Sequence, residues 1–140
     1  MIDFSLFVVD DEDTIRGTLA IALEGKYRLG NFPDAESALE AAETDPPDLL
    51  LLDLGLPGMS GIEALPLFRR RYPDLLVIVI TAYEDVKSVV SAMKHGAYDY
   101  IVKPLNMDTL EVSIRNALES IRLKKEVQSL QERYLRENIP

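Results

Sequence analysis

Cysteine is absent from the 140 residues, which excludes a disulfide framework, a thiolate zinc site and a cysteine nucleophile together. Positive charge is scarce: 15 Lys and Arg stand against 24 Asp and Glu, for a formal charge of −9 and a pI near 4.6. A field of that sign repels phosphate backbones and argues against direct nucleic-acid binding by this domain. No apolar stretch reaches the roughly 18 residues a membrane span needs. Met1-Ile2-Asp3 carries no basic segment ahead of its short apolar run, so it does not read as a signal peptide. The expectation is a cytoplasmic chain with no membrane partner. Histidine occurs once; His95 precedes Gly96 at an expected helix end, where a cation complements the dipole, and reads as structural rather than catalytic. What is present is globular: 47% hydrophobic and 28% charged residues over the length of one domain.

Two kinds of segment alternate along the chain. Short, mainly apolar runs lie at Leu6 to Val9, Tyr27 to Phe32, Leu49 to Leu52, Leu76 to Ile80 and Tyr98 to Val102. Between them apolar residues fall three and four apart, as in Ile15, Leu19, Ala22 and Leu23, or Val86, Val89, Val90 and Met93. Continuous apolar strands separated by amphipathic helices predict a parallel sheet covered on both faces, a doubly wound α/β domain of five strand–helix pairs. Punctuation agrees: Asp45-Pro46-Pro47-Asp48 stops the second helix, Ser60 is placed to cap the third, and Gly96 ends the fourth. Pro66 fits badly, since it removes a backbone donor inside the third helical pattern and should kink it.

In such a sheet, ligands bind beyond the carboxyl ends of the strands. The first strand ends in Asp10 and Asp11, with Glu12 next; the third ends in Asp53, the fourth in Thr81, and the fifth in Lys103-Pro104. Each residue has an ordinary reading when taken singly. An Asp pair after a strand caps a helix, Thr81 is a strand-end hydroxyl, Lys103 a surface charge, Tyr100 a packing aromatic, and Glu12 an outer carboxylate at a helix start. Their convergence on one rim is the informative feature. Two negative charges about 5 Å apart repel by roughly 3 kcal/mol at an effective dielectric near 20. Asp10, Asp11 and Asp53 therefore call for positive charge, partly from Lys103 and partly from a hard divalent cation such as Mg²⁺. The physical reading is a carboxylate–Mg²⁺–ammonium site that holds a phosphoryl group, with Thr81 donating to one of its oxygens.

Four blocks carry a family resemblance: Val8-Val9-Asp10-Asp11-Glu12, Leu51-Leu52-Asp53-Leu54-Gly55-Leu56-Pro57-Gly58-Met59-Ser60-Gly61, Ile80-Thr81-Ala82, and Gly96-Ala97-Tyr98-Asp99-Tyr100-Ile101-Val102-Lys103-Pro104. In order and separation they resemble the receiver domain of bacterial two-component response regulators. The resemblance implies a flavodoxin-like (CheY-like) five-stranded parallel sheet of order 2-1-3-4-5. It implies Asp53 as phosphoacceptor, and Asp10, Asp11, Asp53 and the Gly55 backbone carbonyl as Mg²⁺ ligands. Lys103 then contacts the phosphoryl oxygens across a cis bond to Pro104, and Thr81 and Tyr100 form the switch pair. The implied partner is a sensor histidine kinase as phosphodonor. Gly55, which presents no side chain to water, and Tyr83, which could shield the phosphoryl group, push its lifetime in opposite directions.

From about Met107 to Asn138 the pattern stays helical without Gly or Pro, roughly 45 Å at 1.5 Å per residue. Leu110, Ile114, Ala117 and Ile121 form one stripe. Leu123, Val127, Leu130 and Tyr134 form a second, which starts two residues later and so lies about 200° around the helix. The first can pack on the sheet; the second needs a partner, and an identical helix gives a homodimer. Residues 1–122 are thus expected to form the receiver and 123–140 a helical dimerisation extension. The extension resembles the linker of NtrC/DctD-type receivers, which precede a σ54-activating ATPase. No Walker motif or helix-turn-helix occurs in these residues, so an output domain for transcription is expected outside the chain. Two other readings compete. A phosphatase of the haloacid dehalogenase type needs a second carboxylate two residues after its nucleophile, where Gly55 stands. A non-phosphorylated interaction module would have no use for the Asp10, Asp53, Thr81 and Lys103 set.

Overall fold

The computed structural model describes residues 4–82 and 85–138; Tyr83 lies outside the described residues. Five strands, β1 (Ser5–Val9), β2 (Arg28–Phe32), β3 (Leu49–Asp53), β4 (Leu76–Thr81) and β5 (Asp99–Val102), alternate with five helices. The helices are α1 (Asp13–Leu23), α2 (Ala35–Thr44), α3 (Gly61–Arg71), α4 (Val86–Lys94) and α5 (Met107–Glu137). The sheet is parallel throughout, in the order β2-β1-β3-β4-β5, so the expected topology is the observed one.

Side-chain alternation along each strand divides the core into two layers. Phe7, Val9, Leu50, Leu52, Val77 and Val79 face α2, α3 and α4, where Ala38, Leu65, Phe68 and Ala92 cover them. Leu6, Val8, Leu49, Leu51, Ile78, Ile80 and Ile101 face α1 and α5, against Leu19, Leu23, Leu110, Ile114 and Ile121. Because both faces are covered, the central strands read as unbroken apolar runs, which is why they were legible as strands. The edge strand β2 has no fully buried residue and carries no charge to the rim at its end.

Caps set the helix boundaries. Ser60 and Glu63 form a reciprocal capping box at the start of α3, and Asp34, Asp85 and Asn106 cap α2, α4 and α5. Gly96 follows α4 at φ +98°, a conformation that a side chain disfavours. Pro66 stands inside α3, which runs from Gly61 to Arg71 across it. The capping box and the buried Ala64, Leu65 and Phe68 hold the helix together around the missing donor. His95 sits at the α4 end, with its Nδ1 2.7 Å from the Ser91 carbonyl oxygen, in keeping with a structural role.

The last helix leaves the domain as expected. Leu110, Ile114, Ala117 and Ile121 are buried on the sheet, whereas Leu123, Val127, Leu130 and Tyr134 are half-exposed or more. Two lysines fix the departure point. Lys124 Nζ donates to Asp74 Oδ1 at 2.8 Å, just ahead of β4. Lys125 Nζ lies 3.7 Å from Asp48 Oδ1, just ahead of β3, and 6.0 Å from the Phe4 ring centroid. Asp48 Oδ2 also accepts from the Ser5 amide at 2.8 Å, so one carboxylate ties β1, β3 and the departing helix together.

Candidate functional site

The carboxyl ends of β1, β3, β4 and β5 bring Asp10, Asp53, Thr81 and Lys103 together. Hydrogen bonds just past the ends of the strands fix them there. The Asp10 amide donates to the Phe32 carbonyl at 3.1 Å, the Leu54 amide to Ile80 at 2.9 Å, and the Lys103 amide to Thr81 at 2.8 Å. The Lys103–Pro104 peptide is cis. Close packing beneath Asp53 depends on Gly61, because a Cβ there would collide with the Asp53 carbonyl oxygen and lie 2.6 Å from Leu54 Cα.

Asp10 is fully buried and Asp53 is 4% exposed, while Asp11 faces solvent. One carboxylate oxygen from each of Asp10, Asp11 and Asp53 lies within 4.8 Å of the others. Asp53 Oδ1 accepts from the Gly55 amide at 2.9 Å, and Asp10 Oδ1 accepts from the Glu12 amide at 2.8 Å. The second oxygens face the ammonium. Lys103 Nζ donates to Asp53 Oδ2 at 3.1 Å and sits 3.2 Å from Asp10 Oδ2. The latter approach lacks hydrogen-bonding direction, so Asp10 Oδ2 is a buried acceptor without a donor.

The electrostatics follow from this crowding. Burial pushes the Asp10 carboxyl above the ordinary carboxylate range; the Glu12 amide pulls it down, the Asp53 charge pushes it further up, and Lys103 opposes the rise. For Lys103, burial favours the neutral amine, but the hydrogen bond and charge of Asp53, with the charge of Asp10, outweigh burial and raise its pKa. Lys103 therefore stays an ammonium at neutral pH. Three acids around one amine leave room for further positive charge.

The two residues expected as the switch pair lie on β4 and β5. Thr81 is buried, and its Oγ1 donates to the Ala82 carbonyl at 3.4 Å. Tyr100 is 46% exposed on β5, opposite Val79 in register. Two contacts were not foreseen. Glu12 Oε1 accepts from Lys103 Nζ at 3.4 Å across 91 residues of sequence. Arg16, one turn into α1, donates to the Asp10 carbonyl. No sequence spacing announces either pairing.

Comparison with known proteins agrees with this arrangement. Residues 6–115 match the response regulator receiver domain family. The chain is 38% identical over 130 residues to the nitrogen assimilation regulatory protein NtrX of Azorhizobium caulinodans, which covers 91% of this chain and 29% of that protein. It is 35% identical over 127 residues to the DNA-binding transcriptional regulator NtrC of Escherichia coli, covering 90% of this chain and 27% of that one. The chain thus spans under a third of the length of these relatives. The crystal structure of NtrX from Brucella abortus superposes with a TM-score of 0.85 at 36% identity, over 93% of this chain and 30% of that one. The separate receiver domain of the same protein gives 0.77 over 81% and 98%. With its acidic rim, its lysine and its sheet order all in place, the chain belongs to the response regulator receiver family and is of the NtrC/NtrX type.

Proposed function

We propose that this chain takes up a phosphoryl group on Asp53 from a sensor histidine kinase and passes the change to an output domain through α5. The observation that carries the reading is Lys103 Nζ poised 3.1 Å from Asp53 Oδ2, beside a buried Asp10 oxygen that has no donor. In the transfer, a carboxylate oxygen of Asp53 attacks phosphorus in line. The P–O bond forms as the P–N bond of the phosphohistidine breaks, with its electron pair left on the imidazole nitrogen. Little covalent chemistry falls to the protein beyond positioning and neutralising charge. Lys103 supplies the fixed cation for the phosphoryl oxygens. Water attacking the acyl phosphate later returns carboxylate and inorganic phosphate, so the domain turns over only its own modification.

The donor set fits Mg²⁺: three clustered carboxylates, hard oxygen throughout, one of them an orphaned buried oxygen. Asp10, Asp11 and Asp53, with the Gly55 carbonyl, are the residues that would hold it. When bound, the ion supplies charge neutralisation for the phosphoryl oxygens. The metal-free cost of the site is measurable. A carboxyl whose native pKa lies above its unfolded value favours the fold while protonated, and that contribution is lost as pH rises through the native pKa. Asp10→Asn is therefore expected to stabilise the metal-free protein at pH 7 by about 1–3 kcal/mol, roughly 3–10 °C in Tm. The advantage over the parent should shrink below the ordinary carboxylate range. Saturation with Mg²⁺ at about 100 times its Kd should add roughly 2.7 kcal/mol to the parent and much less to Asp10→Asn. Thermal melts in which Mg²⁺ raises Tm equally in the two proteins would contradict this assignment.

Thr81 and Tyr100 are read as the switch pair. The Thr81 hydroxyl gives up the weak bond to Ala82 for a phosphoryl oxygen, a stronger acceptor, and the Tyr100 ring moves inward from its exposed position. Residues 1–122 act as the receiver and 123–140 as an extension that pairs with a second copy. The output, a σ54-activating ATPase for transcription, lies outside the chain and the setting is cytoplasmic. The described residues contain no helix long and apolar enough to cross a membrane. Incubation with Mg²⁺ and a small acyl phosphate tests the reading. One phosphoryl mass should appear and map to Asp53, and a phosphoryl group mapped to any other residue would refute it.

A further inference from the structure

Glu12 stands immediately before α1, where a short polar side chain ordinarily accepts from the free helical amides. Its side chain accepts none of them. It points instead to Lys103, whose ammonium divides its hydrogen bonds between Glu12 Oε1 at 3.4 Å and Asp53 Oδ2 at 3.1 Å. Among the described residues, Lys103 is the only cation that forms an ion pair with Asp10, Glu12 or Asp53. The three carboxylates differ in freedom. Asp10 and Asp53 are buried and held by backbone amides, whereas the Glu12 side chain is 55% exposed and can return to water at little cost.

Resting on the reading that Asp53 accepts phosphoryl, we propose that Glu12 is a positioning residue for the transfer: its carboxylate is the displaceable partner of the Lys103 ammonium. It holds a share of the hydrogen bonding that an incoming phosphoryl oxygen must take over. Glu12 thereby steadies Lys103 between Asp53 and the rim in the unmodified protein. It also places a negative charge where an anionic donor must enter. Removing that negative charge weakens the hold on the ammonium and lowers the repulsion met on entry. It leaves the attacking oxygen of Asp53 untouched. The effect therefore falls on how tightly the donor binds and not on the rate once it is bound.

The test follows phosphorylation of the 140-residue chain at saturating Mg²⁺ as the concentration of acetyl phosphate is varied. Glu12→Gln is expected to lower the half-saturating donor concentration by about 3- to 5-fold, the scale of a partly exposed ion pair. The rate at saturation should stay within about twofold. Asp13→Asn, which makes the same charge change one residue away on a carboxylate paired with Arg16, should leave both parameters as in the parent. A Glu12→Gln curve that coincides with the parent's would overturn the inference, as would an equal shift in Asp13→Asn, which would mean a general field effect. If the parent itself gained no phosphoryl group on Asp53, the underlying function would fail, an outcome distinct from either of these.

Discussion

Replacing Asp53 by Asn is expected to abolish phosphoryl incorporation, with a loss of more than about three orders of magnitude, the scale seen when a reacting group is deleted. The amide has nearly the shape of the carboxylate and can still accept from the Gly55 amide, now 2.9 Å from Asp53 Oδ1. Its oxygen is no nucleophile at neutral pH. The fold should survive, because the substitution removes a negative charge from beside the buried Asp10, whose carboxyl is already pushed up by burial and by Asp53. Intact-mass measurement after exposure to Mg²⁺ and acetyl phosphate distinguishes the outcomes: the parent gains one phosphoryl group and the variant none. Unchanged circular dichroism of the variant would exclude misfolding as the cause. A variant phosphorylated as fast as the parent would move the acceptor elsewhere.

The second large effect concerns the tail. Leu123, Val127, Leu130 and Tyr134 retain 48% to 65% of their surface. Completing their burial is worth on the order of 1 kcal/mol each, so roughly 8 kcal/mol for the eight side chains of a pair of helices. Association costs about 4–15 kcal/mol in lost freedom. The seam is therefore needed for a dimer but leaves little surplus. Deleting residues 123–140 removes that contribution, which at about 1.4 kcal/mol per tenfold is several orders of magnitude in Kd, so the truncated protein should sediment as a monomer. It leaves the buried Leu110, Ile114, Ala117 and Ile121 stripe to complete the core. Leu130→Glu should act in the same direction without shortening the chain. Sedimentation equilibrium reads both variants, and equal dimer content in the parent and the truncated protein would reject the helical seam.

The sequence made the fold legible because the central strands are buried on both sides, so their apolar runs are continuous and their ends abrupt. The strand limits differ from expectation mainly at the starts: β2 begins at Arg28 rather than Tyr27 and β5 at Asp99 rather than Tyr98. The Tyr98 amide still reaches the Val77 carbonyl at 2.7 Å, so the apolar run there extends one residue beyond the regular ladder. Pro66 is accommodated within α3, whose capping box and buried Phe68 hold the helix together around the missing donor.

At the site, residues that end strands were readable because topology alone brings strand ends to one rim. What remained hidden depends on side chains that reach far. Glu12 meets Lys103 only because a two-methylene side chain turns away from its own helix. Lys124 and Lys125 find Asp74 and Asp48 through the direction in which α5 leaves the domain. Tyr100 illustrates a third limit: an aromatic ring on an edge strand fits both an inward and an outward position, and sequence alone does not select the 46% exposure found here.

The most direct measurement is a crystal structure of the 140-residue protein grown with Mg²⁺ and beryllofluoride. A fluoroberyllate is expected on a carboxylate oxygen of Asp53, contacted by Lys103 Nζ and Thr81 Oγ1. The metal should sit on Asp10, Asp11, Asp53 and the Gly55 carbonyl. Mg²⁺ bound at that cluster while the fluoroberyllate sits on another carboxylate, or neither ion bound within the pocket, would contradict this arrangement.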